Sequence, residues 1–157
     1  MPAPTDPTRL LPPAARVELG RYPLTDTERA PHEDGPLGPV AGWYYCGAGC
    51  GLLALALHEL TGLPLVGVLR ALGDRGAGDL PLELMLEAGV ARDGHVLCAC
   101  GWCAAVEGLE RLAGVSPARV RELCLEAGAV DPDDAPTLAA AREAAAALLE
   151  RAGRAPA

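Results

Sequence analysis

Trp43-Tyr44-Tyr45-Cys46-Gly47-Ala48-Gly49-Cys50-Gly51-Leu52-Leu53-Ala54-Leu55-Ala56-Leu57-His58-Glu59-Leu60-Thr61-Gly62 is the stretch on which the fold turns. From Gly51 to Leu60 it is apolar nearly all round, and Thr61-Gly62 followed by Pro64 supplies a stop, which predicts a central, buried helix. Cys46 and Cys50 flank Gly47-Ala48-Gly49 at its mouth. Cys50 therefore falls at or beside a helix N-terminus, where free NH groups and the positive dipole end favour a thiolate, the form in which a cysteine acts as nucleophile. The glycines would let a substrate backbone approach and leave NH groups free to hold an oxyanion. A pair of small thiols packed in a core fits the same local pattern.

C-terminal to this helix, Leu65 to Leu69 is short, apolar and bounded by Pro64 and a glycine-rich loop, which suits a buried strand. Leu82, Leu84 and Leu86 alternate with Glu83, Met85 and Glu87, then Asp93-Gly94 precedes His95 to Cys100, which reads as a β-hairpin; a helical reading of Leu82 to Ala88 stays open. The pattern predicts a helix over Ala104 to Ala113, a second with Ser116 as N-cap and Pro117 in its first turn, and an alanine-rich third from Asp134-Ala135-Pro136 to about Arg151. N-terminally, residues 1–40 hold nine of the fifteen prolines and are expected to form an arm with at most one short helix, near Pro13 to Leu19. The expected architecture is α+β: residues 41–152 form one domain with a small antiparallel sheet and a helical C-terminal part, followed by a tail at 153–157.

A chain of 157 residues, half of them apolar, builds one core of ordinary size. A net charge of -8 argues against nucleic acid or an anionic membrane as partner, since both require a basic surface. No apolar run approaches the roughly 18 residues of a membrane span, and Met1-Pro2-Ala3-Pro4 lacks the features of a signal peptide, so a cytoplasmic location is expected. Clustered cysteines in such a setting point to reduced thiols or metal thiolates rather than disulfides. The chain contains no Lys, Asn, Gln, Ile or Phe, so a catalytic histidine has no amide side chain to orient it. There is no phosphate-binding loop, dinucleotide fingerprint, HExxH or zinc deaminase signature.

The stretch Trp43 to Gly62 resembles the cysteine-bearing helix of papain-like bacterial proteins, among them the bacteriocin-processing peptidases, and Asp93-Gly94-His95-Val96-Leu97-Cys98-Ala99-Cys100-Gly101-Trp102 is similar to a strand of such relatives. The resemblance covers roughly Gly42 to Leu112. It implies a papain-like fold and a cysteine-dependent hydrolase or acyl transferase that needs no cofactor, acts on a peptide or small-molecule substrate, and has Cys50 as nucleophile. Papain-like enzymes also need a histidine base and an acid or amide to orient it. In one register His95 is the base, with Glu83 or Asp93 as partner. In the other, Asp93-Gly94 is the turn between the two family strands, the histidine position falls near Glu83 and the acid position on Cys98. Because side chains alternate along a strand, His95 and Cys98 cannot both face the helix mouth without a bulge.

Cys98, Cys100 and Cys103 have a CxCxxC spacing that lets thiolates share zinc or another soft metal, with Cys46 or Cys50 as a distant fourth ligand. His32, in the arm, and His58, in the apolar helix, read as structural or solvated, and Cys124 as a core residue. Glu83 and Glu87 read equally well as the outward face of a strand. Three functions follow as expectations: a papain-like thiol hydrolase, a thiolate metal-binding protein, and an inactive relative that binds another protein.

Overall fold

A computed structural model describes residues 6–71, 83–104, 112–126 and 131–153. At its centre the apolar stretch forms a helix, Cys50–Thr61, whose residues Cys50 to Leu57 are all buried. Gly62 ends it in the left-handed region (φ 71°), where a side chain would be strained, and the turn leads into strand β1, Leu65–Ala71. Numbered in chain order, the helices are α1 (Pro13–Arg21), α2 (Asp26–Arg29), α3 (Gly38–Cys46), α4 (Cys50–Thr61), α5 (Pro117–Glu126) and α6 (Ala135–Ala152), with a 3-10 turn at Ala30–His32. The strands after β1 are β2 (Glu83–Arg92), β3 (His95–Cys98), β4 (Gly101–Ala104) and β5 (Leu112–Gly114). They form a five-stranded sheet in the order β4-β3-β2-β1-β5, and every pairing is antiparallel. The fold is thus α+β, with α4 packed between the sheet, at β2, and α5 and α6.

The β2–β3 connection is the expected Asp93-Gly94 turn, and both residues take positive φ (48° and 78°), the backbone of a tight hairpin turn whose twist matches that of the strands. Along β2, Gly89 passes so close to β3 that a Cβ there would stand 2.5 Å from the Leu97 carbonyl oxygen. The register between β1 and β2 shifts between Val68 and Leu69. The expected caps of the C-terminal helices are present: the Arg119 NH donates to Ser116 Oγ at 3.1 Å and the Thr137 NH to the Asp134 carboxylate at 3.1 Å.

Two expectations are corrected. The helix expected over Ala104 to Ala113 is replaced at both ends by strand: Gly101–Ala104 returns along β3 after a two-residue turn at Ala99-Cys100, and Leu112–Gly114 pairs with Val66–Val68. Pairing across the sheet overrides the helical preference of the local sequence; residues 105–111 of that expectation lie outside the described residues. The N-terminal residues are also more regular than their prolines suggest. Thr25 and Glu28 form a reciprocal capping box that starts α2, and Pro31 sits within the following 3-10 turn. Leu10, Leu11 and Leu37 share one buried cluster with α4, and the Tyr45 hydroxyl donates to the Leu10 carbonyl at 2.6 Å inside it. No single helix among the described residues is long and apolar enough to cross a membrane.

Candidate metal centre

The Gly47-Ala48-Gly49 link turns the chain by 97° between α3 and α4. A Cβ on Gly49 would lie 2.4 Å from Tyr44 Cε1 and 2.9 Å from Tyr45 Cδ1, so this tight bend depends on glycine at that position. Its consequence is that Cys46 and Cys50, four positions apart, enter different surroundings. Cys50 begins α4 and is buried, whereas Cys46 ends α3 and is half-buried.

Cys46 faces the β3–β4 turn. Its sulfur stands 3.0 Å from the sulfur of Cys100, an exposed turn residue. His32 reaches the same place from the 3-10 turn: its ring lies over the backbone of Gly42 in α3, where a Cβ would meet His32 Cβ at 3.0 Å and Nδ1 at 3.4 Å. One ligand atom from each of His32, Cys46 and Cys100 lies within 4.8 Å of the other two. The edge of a zinc tetrahedron with Zn–S bonds of about 2.3 Å is about 3.8 Å, so side-chain adjustments of about 1 Å bring the three onto one ion. The buried Cys98 thiol lies at the base of the same turn, its sulfur 3.9 Å from the Gly101 carbonyl oxygen.

The electrostatics follow from this crowding. Hydrogen bonds from Cys46 first and Cys98 second hold the Cys100 thiol well below its ordinary pKa, with His32 adding to the effect. Cys46 and Cys98 are pushed up, chiefly because each donates to Cys100 and secondarily by burial. A soft cation bound at the cluster would displace the thiol protons. Beside it, burial raises the Cys50 thiol, although the amides of Gly51 and Ala88 pull the other way. Helix-end activation of Cys50 is therefore present, and desolvation outweighs it.

The other expected site residues are placed as follows. Cys103, in β4, is exposed, with its sulfur 3.8 Å from the Gly101 carbonyl oxygen. His95 is at the β2–β3 turn, its Nδ1 3.1 Å from the Asp93 carbonyl oxygen, and it pairs with Arg92. Cys50 meets β2 at Ala88, four residues before Arg92, which is about 13 Å along a strand; the fold separates His95 from the helix mouth. Glu83 is the first residue of β2 and pairs with Ala71, while its side chain lies outside the described residues. The carboxylate that does act on both Cys46 and Cys50 is Glu87, which by sequence alone reads as strand surface. His32, which reads by sequence as structural or solvated, is brought to Cys46 and Cys100 by the fold alone, since no spacing links it to cysteines so far along the chain. Cys124 is buried beneath α4, and His58 Nδ1 stands 2.7 Å from the Leu63 carbonyl oxygen, a structural contact.

No family model, curated protein or solved structure matches this chain.

Proposed function

We propose that this protein binds a soft metal ion, zinc first, through His32, Cys46 and Cys100. The observation that carries this is the convergence of three ligand atoms, each within 4.8 Å of the others, from three separate segments. A set of one imidazole and thiolates suits zinc or copper(I) and disfavours magnesium and calcium, which take oxygen. When bound, such an ion would tie the 3-10 turn, the end of α3 and the β3–β4 turn together, a structural or metal-sensing role. Arg151 backs the same corner by donating to the Pro36 carbonyl at 3.1 Å.

The cysteine-led helix packed on an antiparallel sheet supports a papain-like scaffold beneath this site. The hydrolase reading has less support, because the Cys50 thiol is buried with its pKa raised and the base proposed for it, His95, is held at a distant turn. Among the described residues Glu87 is a carboxylate neighbour of Cys50 instead, and a carboxylate beside a thiol opposes its ionisation.

Purified protein reconstituted with cobalt(II) tests the metal reading. One ion per chain with thiolate-to-cobalt absorption is expected, competed away by zinc and lost in Cys46→Ser and Cys100→Ser. A native mass equal to the bare chain after zinc loading, with no cobalt absorption, would overturn it.

A further inference from the structure

The Cys46 and Cys100 sulfurs, 3.0 Å apart, are about 1 Å beyond the length of a disulfide bond, about 2.05 Å. The two residues are 54 positions apart in the chain and sit on separate elements, the end of α3 and the two-residue β3–β4 turn. Access to them is graded: Cys100 is exposed, Cys46 half-buried and Cys98 buried. A small reagent therefore meets Cys100 first, and the sulfur standing against it is that of Cys46. The Cys98 sulfur is aimed elsewhere, 3.9 Å from the Gly101 carbonyl oxygen.

We propose that Cys46 and Cys100 form a dithiol–disulfide couple that reduces low-molecular-weight disulfides. In the first step the Cys100 sulfur, as thiolate, attacks one sulfur of the substrate RSSR; the Cys100–SR bond forms, the substrate S–S bond breaks and RS⁻ leaves. In the second, Cys46 loses its proton and attacks the Cys100 sulfur; the Cys46–Cys100 bond forms and the second RS⁻ leaves. The two protons released by the cysteines pass through solvent to the two thiolates, so the balance is dithiol plus RSSR to protein disulfide plus two RSH. The dithiol is oxidised by two electrons and the substrate reduced by two. Closing the bridge removes two sulfurs from the proposed metal centre, so oxidation would also release a bound ion. The couple itself needs no metal, and its failure is therefore distinguishable from failure of the metal reading.

The test treats reduced, chelator-stripped full-length protein with oxidised glutathione and quenches with N-ethylmaleimide before intact and fragment mass analysis. Exposed Cys103 is the internal control. The expected result is a protein lighter by two hydrogens, with fragments joining Cys46 to Cys100, formed at least about tenfold faster than glutathione adds to Cys103. Cys46→Ser should stop at a glutathione adduct on Cys100, and Cys100→Ser should react at neither position; circular dichroism checks that both variants fold. If either does not, alkylation of wild-type Cys100 alone must block the bridge. Equal reaction at Cys103 and Cys100, a bridge made through Cys98, or no bridge at all would each overturn the proposal.

Discussion

Cys46 and Cys50 stand on either side of one bend, and their fates diverge because the bend sends one thiol to an edge crowded with sulfur and the other into the core. Cys50 has the feature that ordinarily activates a cysteine, the amides at a helix N-terminus, yet burial raises its pKa all the same. Cys100, at the tip of a turn with no helix behind it, is held in the opposite direction by the thiols of Cys46 and Cys98. Hydrogen-bond donors shared within a cluster outweigh a helix end whose surroundings exclude water. The proposed chemistry accordingly lies with the edge cluster, and Cys50 packs with the buried residues of α4.

The largest expected effect tests that division directly. Cys100→Ser and Cys46→Ser should each weaken zinc binding by more than about 100-fold, the upper end of what loss of an outer-shell partner alone produces, while Cys50→Ser leaves affinity unchanged. His32→Ala should weaken it by a similar factor and marks the N-terminal segment as part of the site. Competition with a chromophoric chelator measures all four. A Cys50→Ser variant that lost zinc as completely as Cys100→Ser would erase the distinction between the two sides of the bend.

The dry side should show itself at alkaline pH. Burial raises the Cys124 thiol to about 11 and the Tyr44 hydroxyl to about 12, each from an ordinary value lower by two units. Below about pH 9 both groups are protonated in the folded and unfolded chain alike, and their contribution is fully present. Above it the unfolded chain loses protons that the folded chain retains, so stability falls as pH rises, by up to about 1.4 kcal/mol per pH unit for each group, until the folded pKa is passed. Urea midpoints of the metal-free protein between pH 8 and about 11 should decline accordingly, and Cys124→Ala should make the decline that begins near pH 9 shallower, the raised thiols of Cys46, Cys50 and Cys98 supplying the rest of it. A flat profile in the wild type would show that this side of the molecule is wetter than its packing implies.

Alkylation sharpens the same contrast more gently. At neutral pH iodoacetamide should modify Cys50 at least about tenfold more slowly than exposed Cys103, as read by peptide mass analysis with time. Stoichiometric labelling of Cys50 ahead of Cys103 would restore the nucleophile reading and demand a base that the described residues do not supply.

What could be read from the sequence follows the range of the interactions involved. α4, the Asp93-Gly94 hairpin, and the caps at Ser116 and Asp134 are written in neighbouring residues, and the structure forms all of them. β4 and β5 are not, because Gly101–Ala104 and Leu112–Gly114 become strands only by pairing with β3 and β1. In the candidate site, the sequence marks Cys46, Cys98 and Cys100 by residue type and clustering. His32 could not be reached that way: its place depends on the seat over Gly42 that α3 provides. The burial of Cys50 is likewise a property of packing, invisible in a pattern that names only the helix end.

That seat makes the N-terminal segment the hinge of the comparison, and one hydrogen bond probes it. Tyr45 is in α3, next to Cys46, and its buried hydroxyl donates to the Leu10 carbonyl at 2.6 Å. Tyr45→Phe keeps the ring and leaves that carbonyl without its donor, which should cost about 1–2 kcal/mol of stability. The loss loosens the segment that carries His32 and leaves Cys46, Cys98 and Cys100 where they are. Zinc affinity should therefore fall by less than in His32→Ala, because the histidine is still present and only its placement has become less certain. If Tyr45→Phe lowered stability by that amount with zinc affinity untouched, the ion would be held without His32, which would be a neighbour of the centre rather than a ligand.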